Sequence, residues 1–149
     1  MKFIADTNLL SELIARRPSD SVQRWAVEHE EELVVSWVTI AELRKGVALH
    51  PDAGRRLELG DLVDRLEANF YDDQDIPLTS ATSKKFGSLV ASRKRSGQNL
   101  SWPDAVLASQ AIERGLTIAT RNTKDFPDVP TVNPWNGKAP GDDAEGQED

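Results

Sequence analysis

The stretch KFIADTNLLSEL, residues 2–13, decides the fold prediction because it joins a short strand directly to a helix. Its apolar run, residues 3–5, ends in Asp6, and a helical spacing of leucines begins at Leu9. No basic residue follows in the sequence until Arg16. A carboxylate at the end of a buried strand is poorly solvated, so its charge needs a compensating group.

The composition is that of one ordinary globular domain. The 149 residues are 38% hydrophobic and 29% charged. The absence of cysteine excludes disulfides, iron–sulfur clusters and thiolate zinc sites, and the surroundings of His29 and His50 are typical of surface histidines. No apolar run is long enough for a membrane span, and no secretory signal is recognisable, so we expect a cytoplasmic protein.

The net charge of −7 is concentrated at the C-terminal end. Residues 139–149 carry five acids and no base, which leaves 20 acids and 18 bases in residues 1–138. We therefore predict a single domain over residues 1–138 and an acidic, flexible tail over residues 139–149. Without the tail, acidity argues only mildly against a polyanionic substrate.

Short strands alternate with longer helices along the chain. This order predicts an α/β fold with helices on both sides of a central, mostly parallel sheet. In such sheets ligands bind beyond the carboxyl ends of the strands. The predicted strands are residues 2–5, 33–35, 75–77, 116–120 and 130–133, and the predicted helices are 9–15, 20–30, 39–49, 55–70, 80–95 and 104–114.

Four acids lie at junctions between these elements. Asp6 ends the first strand, Glu42 lies near the start of the helix after the second strand, and Asp125 follows the fourth strand. Asp104 opens the helix before that fourth strand. Each acid alone is most simply explained as a helix cap or first-turn acid, because Thr39, Ser101 and Asn122 stand three residues before Glu42, Asp104 and Asp125.

Together the four acids favour a metal site. Two carboxylates about 4 Å apart repel by about 4 kcal/mol at an effective dielectric near 20, so a cluster needs a cation or raised pKa values. Oxygen ligands without histidine or cysteine select hard ions, Mg²⁺ or Mn²⁺. Metal-activated water attacking a phosphodiester is the chemistry that such a site performs.

Four segments resemble the PIN-domain ribonucleases, and most closely the VapC-type toxins of type II toxin–antitoxin systems, including the FitB-like subgroup. They are FIADTNLLSEL (3–13), VVSWVTIAELRKGV (34–47), PDAVLASQAIERGLTIATRNTKDF (103–126) and VNPW (132–135). The resemblance implies a three-layer α/β/α sandwich and an endoribonuclease that uses Mg²⁺ or Mn²⁺.

The resemblance also assigns site residues. It implies that Asp6 and Asp104 are the most direct metal ligands, with Glu42 and Asp125 completing the pocket directly or through water. Supporting polar residues would orient carboxylates or bind a phosphate, although turn and capping roles explain them equally well. These supporting residues are Thr7, Asn8, Thr39, Thr120 and Asn122.

RNA contacts are less specific in the sequence. Arg93, Lys94 and Arg95 end a predicted helix, and Arg121 flanks the acids. They could neutralise phosphates, or the helix-terminal bases could only complement the helix dipole. Trp102, two residues before Asp104, could stack a base.

The resemblance implies partners as well. A VapB-like antitoxin would fold a flexible segment onto the toxin and present an arginine to the acids, and the toxin would form a homodimer or a larger toxin–antitoxin assembly. Two alternatives remain. One is a non-catalytic PIN-like interaction module, and the other is a phosphatase of the haloacid-dehalogenase type, which the asparagine at position 8 disfavours because that chemistry uses a second aspartate there.

Overall fold

A computed structural model describes residues 2–70 and 75–136, and the predicted tail over residues 139–149 lies outside them. The strands are β1 Phe3–Ala5, β2 Leu33–Ser36, β3 Asp75–Ile76, β4 Thr117–Ala119 and β5 Thr131–Val132. The helices are α1 Thr7–Leu13, α2 Asp20–Glu28, α3 Trp37–Ala48, α4 Ala53–Ala68, α5 Ser80–Arg95 and α6 Trp102–Arg114. Two short 3₁₀ turns cover Thr123–Asp125 and Pro134–Asn136.

The five strands form one sheet in the order β3-β2-β1-β4-β5, and every neighbouring pair is parallel. The chain builds outward from β1 through β2 to β3, then returns to the other side of β1 with β4 and β5. The order therefore reverses between β1 and β4. In parallel sheets the crevice beyond the carboxyl ends of the strands at such a reversal is the usual ligand site.

Helices cover both faces of the sheet, which confirms the predicted three-layer α/β/α fold. Phe3 and Ala5 point to the face covered by residues of α1–α4, whereas Ile4 points to the opposite face against α6. This alternation follows from the two-residue period of a strand. Because both faces are covered, β1 and β2 are continuously buried, which explains the apolar runs at residues 3–5 and 33–35.

Four helices, α1, α3, α4 and α6, begin two residues earlier than the sequence predicts. Ser36, Asp52 and Ser101 are the N-caps of α3, α4 and α6, and each side chain accepts a hydrogen bond from a backbone N–H in the first turn. The predicted capping box between Thr39 and Glu42 is wrong, because both lie inside α3.

None of the helices within residues 2–70 and 75–136 is both long and apolar enough to cross a membrane. The longest, α4 and α5, have 16 residues each.

Candidate active site

Asp6 lies at the reversal of strand order, directly after β1. It is the N-cap of α1, and its Oδ1 accepts a 2.7 Å hydrogen bond from the Thr7 backbone N–H. Its Oδ2 accepts a 2.7 Å hydrogen bond from the hydroxyl of Thr120, the residue after β4. The backbone N–H of Asp6 bonds Ala119 O at 3.0 Å, so β1 and β4 fix the carboxylate from both sides. Asp6 is only 6% exposed.

Glu42 reaches the same place from α3. It is the sixth residue of that helix, so it lies in the second turn and does not cap the helix. The Thr7 hydroxyl donates a 2.8 Å hydrogen bond to Glu42 Oε1 while the Thr7 N–H holds Asp6. One threonine therefore orients two carboxylates that are 36 positions apart in the sequence.

Asp104 is in the first turn of α6, where the Ser101 hydroxyl caps the Asp104 N–H at 3.4 Å. The capping explanation of Ser101 is therefore correct. It does not exclude a second role for Asp104, because the half-buried carboxylate also lies within electrostatic reach of Asp6 and Asp125.

Asp125 ends the 3₁₀ turn Thr123–Asp125 and is exposed. The side chain of Asn122 makes no capping hydrogen bond there. Instead the Asn122 backbone N–H donates to Thr120 Oγ1 at 3.0 Å. The buried Thr120 hydroxyl thus links Asp6 to the start of the segment that carries Asp125.

The two remaining polar candidates are placed differently. Thr39 is 1% exposed, and its hydroxyl donates to Ala5 O at 3.4 Å, so it ties α3 to β1 beneath the site. Asn8 is exposed in the first turn of α1.

The acids are electrostatically coupled. Burial raises the pKa of Asp6 above its usual range, Glu42 and Asp125 raise it further, and the bonds from Thr120 and Thr7 oppose the shift. Burial also raises the pKa of Asp104, with a contribution from Asp6. Among the described residues, none of the four acids has a lysine or arginine side chain at ion-pair distance from its carboxylate. A buried carboxylate among other acids is the electrostatic setting of a cation or catalytic site.

The basic candidates divide into two groups. Lys94 and Arg95 are exposed at the end of α5, and Arg121 is exposed with its guanidinium 5.3 Å from the centre of the Trp135 ring. Arg93 is only 9% exposed, and protein groups surround its guanidinium. The prediction that Arg93 contacts RNA is therefore wrong, because the side chain points inward.

Sequence reasoning missed the residues that bind Arg93. Arg93 lies on the buried side of α5, eleven residues after Thr82 and four residues after Leu89, which are buried on the same side. That periodicity separates Arg93 from Lys94 and Arg95. Nothing in the local sequence indicates its partners Gln98 and Asp128.

A groove of about 380 Å³ opens beside the acids, between α1, α3 and α4. Ile14, Val47 and Leu59 contribute apolar walls, Thr7 and Glu42 connect the groove to the candidate site, and His50 and Arg55 also line it. On the helices beside this groove, Leu9, Leu10, Ile40 and Leu43 are buried in the core.

The sequence and the fold of this chain are both similar to those of known proteins. The PIN domain family model matches residues 3–132. The VapC ribonuclease Y4jK of Sinorhizobium fredii is 33% identical, covering 89% of this chain and 96% of that protein. The toxin FitB of Neisseria gonorrhoeae is 28% identical, covering 89% and 98%. The crystal structure of FitAcB from Neisseria gonorrhoeae superposes with a TM-score of 0.79 at 28% identity, covering 89% of this chain and 98% of that one.

Proposed function

This chain belongs to the PIN domain family, and from that premise we propose that it is a Mg²⁺- or Mn²⁺-dependent endoribonuclease toxin inhibited by a cognate antitoxin. The observation that carries the proposal is the environment of the Asp6 carboxylate. This carboxylate is buried at the strand-order reversal, oriented by two hydrogen bonds and within electrostatic reach of three further acids. Within the described residues 2–70 and 75–136, no lysine or arginine side chain forms an ion pair with it. The name of one similar protein, a VapC ribonuclease, supports the RNA-cleaving activity, and the name of another, a toxin, supports the toxin role.

The donor set fits a hard divalent ion. Every candidate ligand is a carboxylate oxygen, which is the ligand type that Mg²⁺ and Mn²⁺ prefer. In the described part of the chain, no three acidic or histidine side chains converge closely enough to hold an ion by themselves. Mg²⁺ commonly takes one or two carboxylates and completes its shell with water and substrate phosphate. We assign Asp6 and Asp104 as the direct ligands, with Glu42 and Asp125 acting directly or through water.

When bound, the ion would activate water for attack on phosphorus and offset negative charge on the phosphate. The protein's part is orientation. The Thr7 N–H and the Thr120 hydroxyl fix both oxygens of Asp6, the Thr7 hydroxyl fixes Glu42, and Ser101 holds the first turn of α6 that carries Asp104. Such fixed donors keep ligand oxygens in place before substrate arrives.

The antitoxin and the RNA would share this edge of the sheet. The groove between α1, α3 and α4 joins apolar walls to the Glu42 carboxylate, which Thr7 orients. It suits a VapB-like segment with apolar side chains and a basic residue that reaches the carboxylates. RNA phosphates would approach from the exposed side, with Lys94, Arg95 and Arg121 as candidate contacts. A homodimer and a cytoplasmic location complete the proposal.

Cleavage of RNA by the isolated chain tests the activity. The purified protein, free of antitoxin, is incubated with total RNA and Mg²⁺ or Mn²⁺, with and without a chelator. Asp6→Asn and Asp104→Asn are the test variants, and Asp61→Asn changes an exposed acid of α4 as the matched control. We expect discrete products from the wild type and the Asp61 variant only, and only with metal. Metal binding without cleavage of any RNA would favour the non-catalytic module instead.

A further inference from the structure

Arg93 is the buried member of a basic run. It lies in the last turn of α5, beside Lys94 and Arg95, which are exposed. An arginine that is 91% removed from solvent must have its charge and its donors matched by protein groups, because an unmatched buried guanidinium is strongly destabilising. The identity of those groups therefore indicates what the side chain is for.

All three contacts of the guanidinium fall on loops next to the acidic site. Nη2 donates a 2.7 Å hydrogen bond to the backbone carbonyl of Asp125, and Nε lies 2.9 Å from Asp128 Oδ2. Nη1 donates a 2.8 Å hydrogen bond to Gln98 Oε1. The backbone N–H of Gln98 in turn bonds Arg93 O at 2.9 Å, so the loop after α5 is closed around the side chain.

The segment that Arg93 holds is anchored on both sides of Asp125, but the turn itself lies at the surface. The turn Thr123–Asp125 begins without a side-chain cap, and Asp125 is exposed. On its N-terminal side the Asn122 N–H bonds the Thr120 hydroxyl. On its C-terminal side Phe126 is buried in the core, and Arg93 supplies the side-chain contacts to Asp125 O and Asp128. The guanidinium is also within electrostatic reach of the acids, since it lowers the pKa of Asp104.

We propose that Arg93 is a positioning residue of the acidic site, which fixes the Asp125 carboxylate by holding the backbone of its turn. It acts through Asp125 and does not contact RNA or metal itself. The proposal rests on the proposed function for its catalytic consequence, whereas its structural part, an ordered turn, is independent of that function. Lysine cannot replace the residue fully. A single ammonium group lacks the planar, spread donors with which the guanidinium contacts Gln98, Asp125 O and Asp128 at once.

The test combines a double-mutant cycle with amide hydrogen exchange. Arg93→Met and Asp125→Asn are made singly and together, with Arg65→Met, at an exposed position of α4, as the matched control. Asp128→Asn is a milder second variant. It removes the negative charge that pairs with Arg93 Nε and keeps the arginine. Single-turnover cleavage, Mn²⁺ affinity from electron paramagnetic resonance, and exchange of the amides in residues 121–128 are measured for each.

We expect Arg93→Met to lower cleavage or Mn²⁺ affinity by about tenfold, a usual loss when a partner of a metal ligand is removed. In the Asp125→Asn background, Arg93→Met should cause little further loss of cleavage or Mn²⁺ affinity, because the Asp125 carboxylate that Arg93 positions is already absent. Asp128→Asn should give a smaller loss, and the Arg65 variant none. Amides of residues 121–128 should exchange faster in both Arg93→Met and Asp128→Asn.

Equal losses in both backgrounds would overturn the proposal, since Arg93 would then act on general stability. Unchanged exchange of residues 121–128 in a folded Arg93 or Asp128 variant would also overturn it. If the wild type and the Arg65 variant neither cleave RNA nor bind Mn²⁺, the proposed function fails separately. The exchange data still decide whether Arg93 orders the turn.

Discussion

The Thr120 hydroxyl is the most informative group to remove from the site. It is fully buried, donates to Asp6 Oδ2 at 2.7 Å, and accepts from the Asn122 N–H at 3.0 Å. Thr120→Val keeps the shape of the side chain but removes both hydrogen bonds. Thr120→Ser keeps the hydroxyl and loses only a buried methyl group, so it is the matched control.

The expected cost follows from the partners. A hydrogen bond to a charged group contributes about 1.5–3 kcal/mol. The Asn122 N–H lies in an exposed residue, so water can replace its partner at little cost. We therefore expect Thr120→Val to lower the free energy of unfolding by about 2–3 kcal/mol, and Thr120→Ser by about 1 kcal/mol for the methyl. Against a typical total of about 5–15 kcal/mol, the valine effect is large.

The pH dependence identifies the source of this energy. The Thr120 bond lowers the pKa of Asp6, so it stabilises the ionised carboxylate more than the protonated one. Its contribution is complete above the folded-state pKa of Asp6. It is lost as pH falls through that pKa, which burial places above the value of about 3.9 for an unfolded aspartate.

Urea unfolding of metal-free protein measures these differences. The valine variant should unfold at a midpoint roughly 1 M lower than the wild type at neutral pH. The difference in unfolding free energy between Thr120→Val and Thr120→Ser should become smaller as the pH is lowered. Equal stability of the two variants, or a gap that widens towards acid pH, would refute the account of Asp6 as an ionised, buried carboxylate.

Three further predictions follow from the same geometry. Asp6→Asn should raise the stability of metal-free protein at neutral pH, because its raised pKa means that charged Asp6 opposes folding; the gain, read from urea midpoints, should shrink as pH falls towards about 3.9. Thr7→Val should weaken Mn²⁺ binding in a titration while Thr7→Ser preserves it, because only the valine releases Glu42. Ile118→Ala, at the fully buried centre of β4, should cost about 2–5 kcal/mol in denaturant unfolding, with m unchanged.

Much of the fold could be predicted because it depends on local patterns. The buried run at residues 3–5 is apolar at every position, as a strand covered on both faces must be, and α5 matches the predicted residues 80–95. The errors lie at helix boundaries, both starts and ends. Ser36 and Ser101 cap helices that the apolar periodicity begins two or three residues later, so periodicity alone gives the wrong first turn.

The electrostatic coupling of Glu42, Asp104 and Asp125 to Asp6 could be anticipated for a topological reason. Parallel strands end at one edge of the sheet, so residues after β1 and β4 meet wherever those strands are neighbours. What could not be read from sequence was the set of hydrogen bonds across that edge. Thr120 and Asp6 are 114 residues apart, and Arg93 is 32 residues from Asp125. Such contacts depend on how elements distant in sequence pack together, so no short sequence motif indicates them.

Direct measurement of Mn²⁺ binding tests the central claim, that these acids form a divalent metal site. Free Mn²⁺ is titrated by electron paramagnetic resonance with metal-free wild type, Asp6→Asn, Asp104→Asn and the control Asp61→Asn. We predict that the wild type and the Asp61 variant bind Mn²⁺, and that the Asp6 and Asp104 variants bind it at least about tenfold more weakly. No binding by folded wild type, or equal binding by the Asp6 variant, would contradict it.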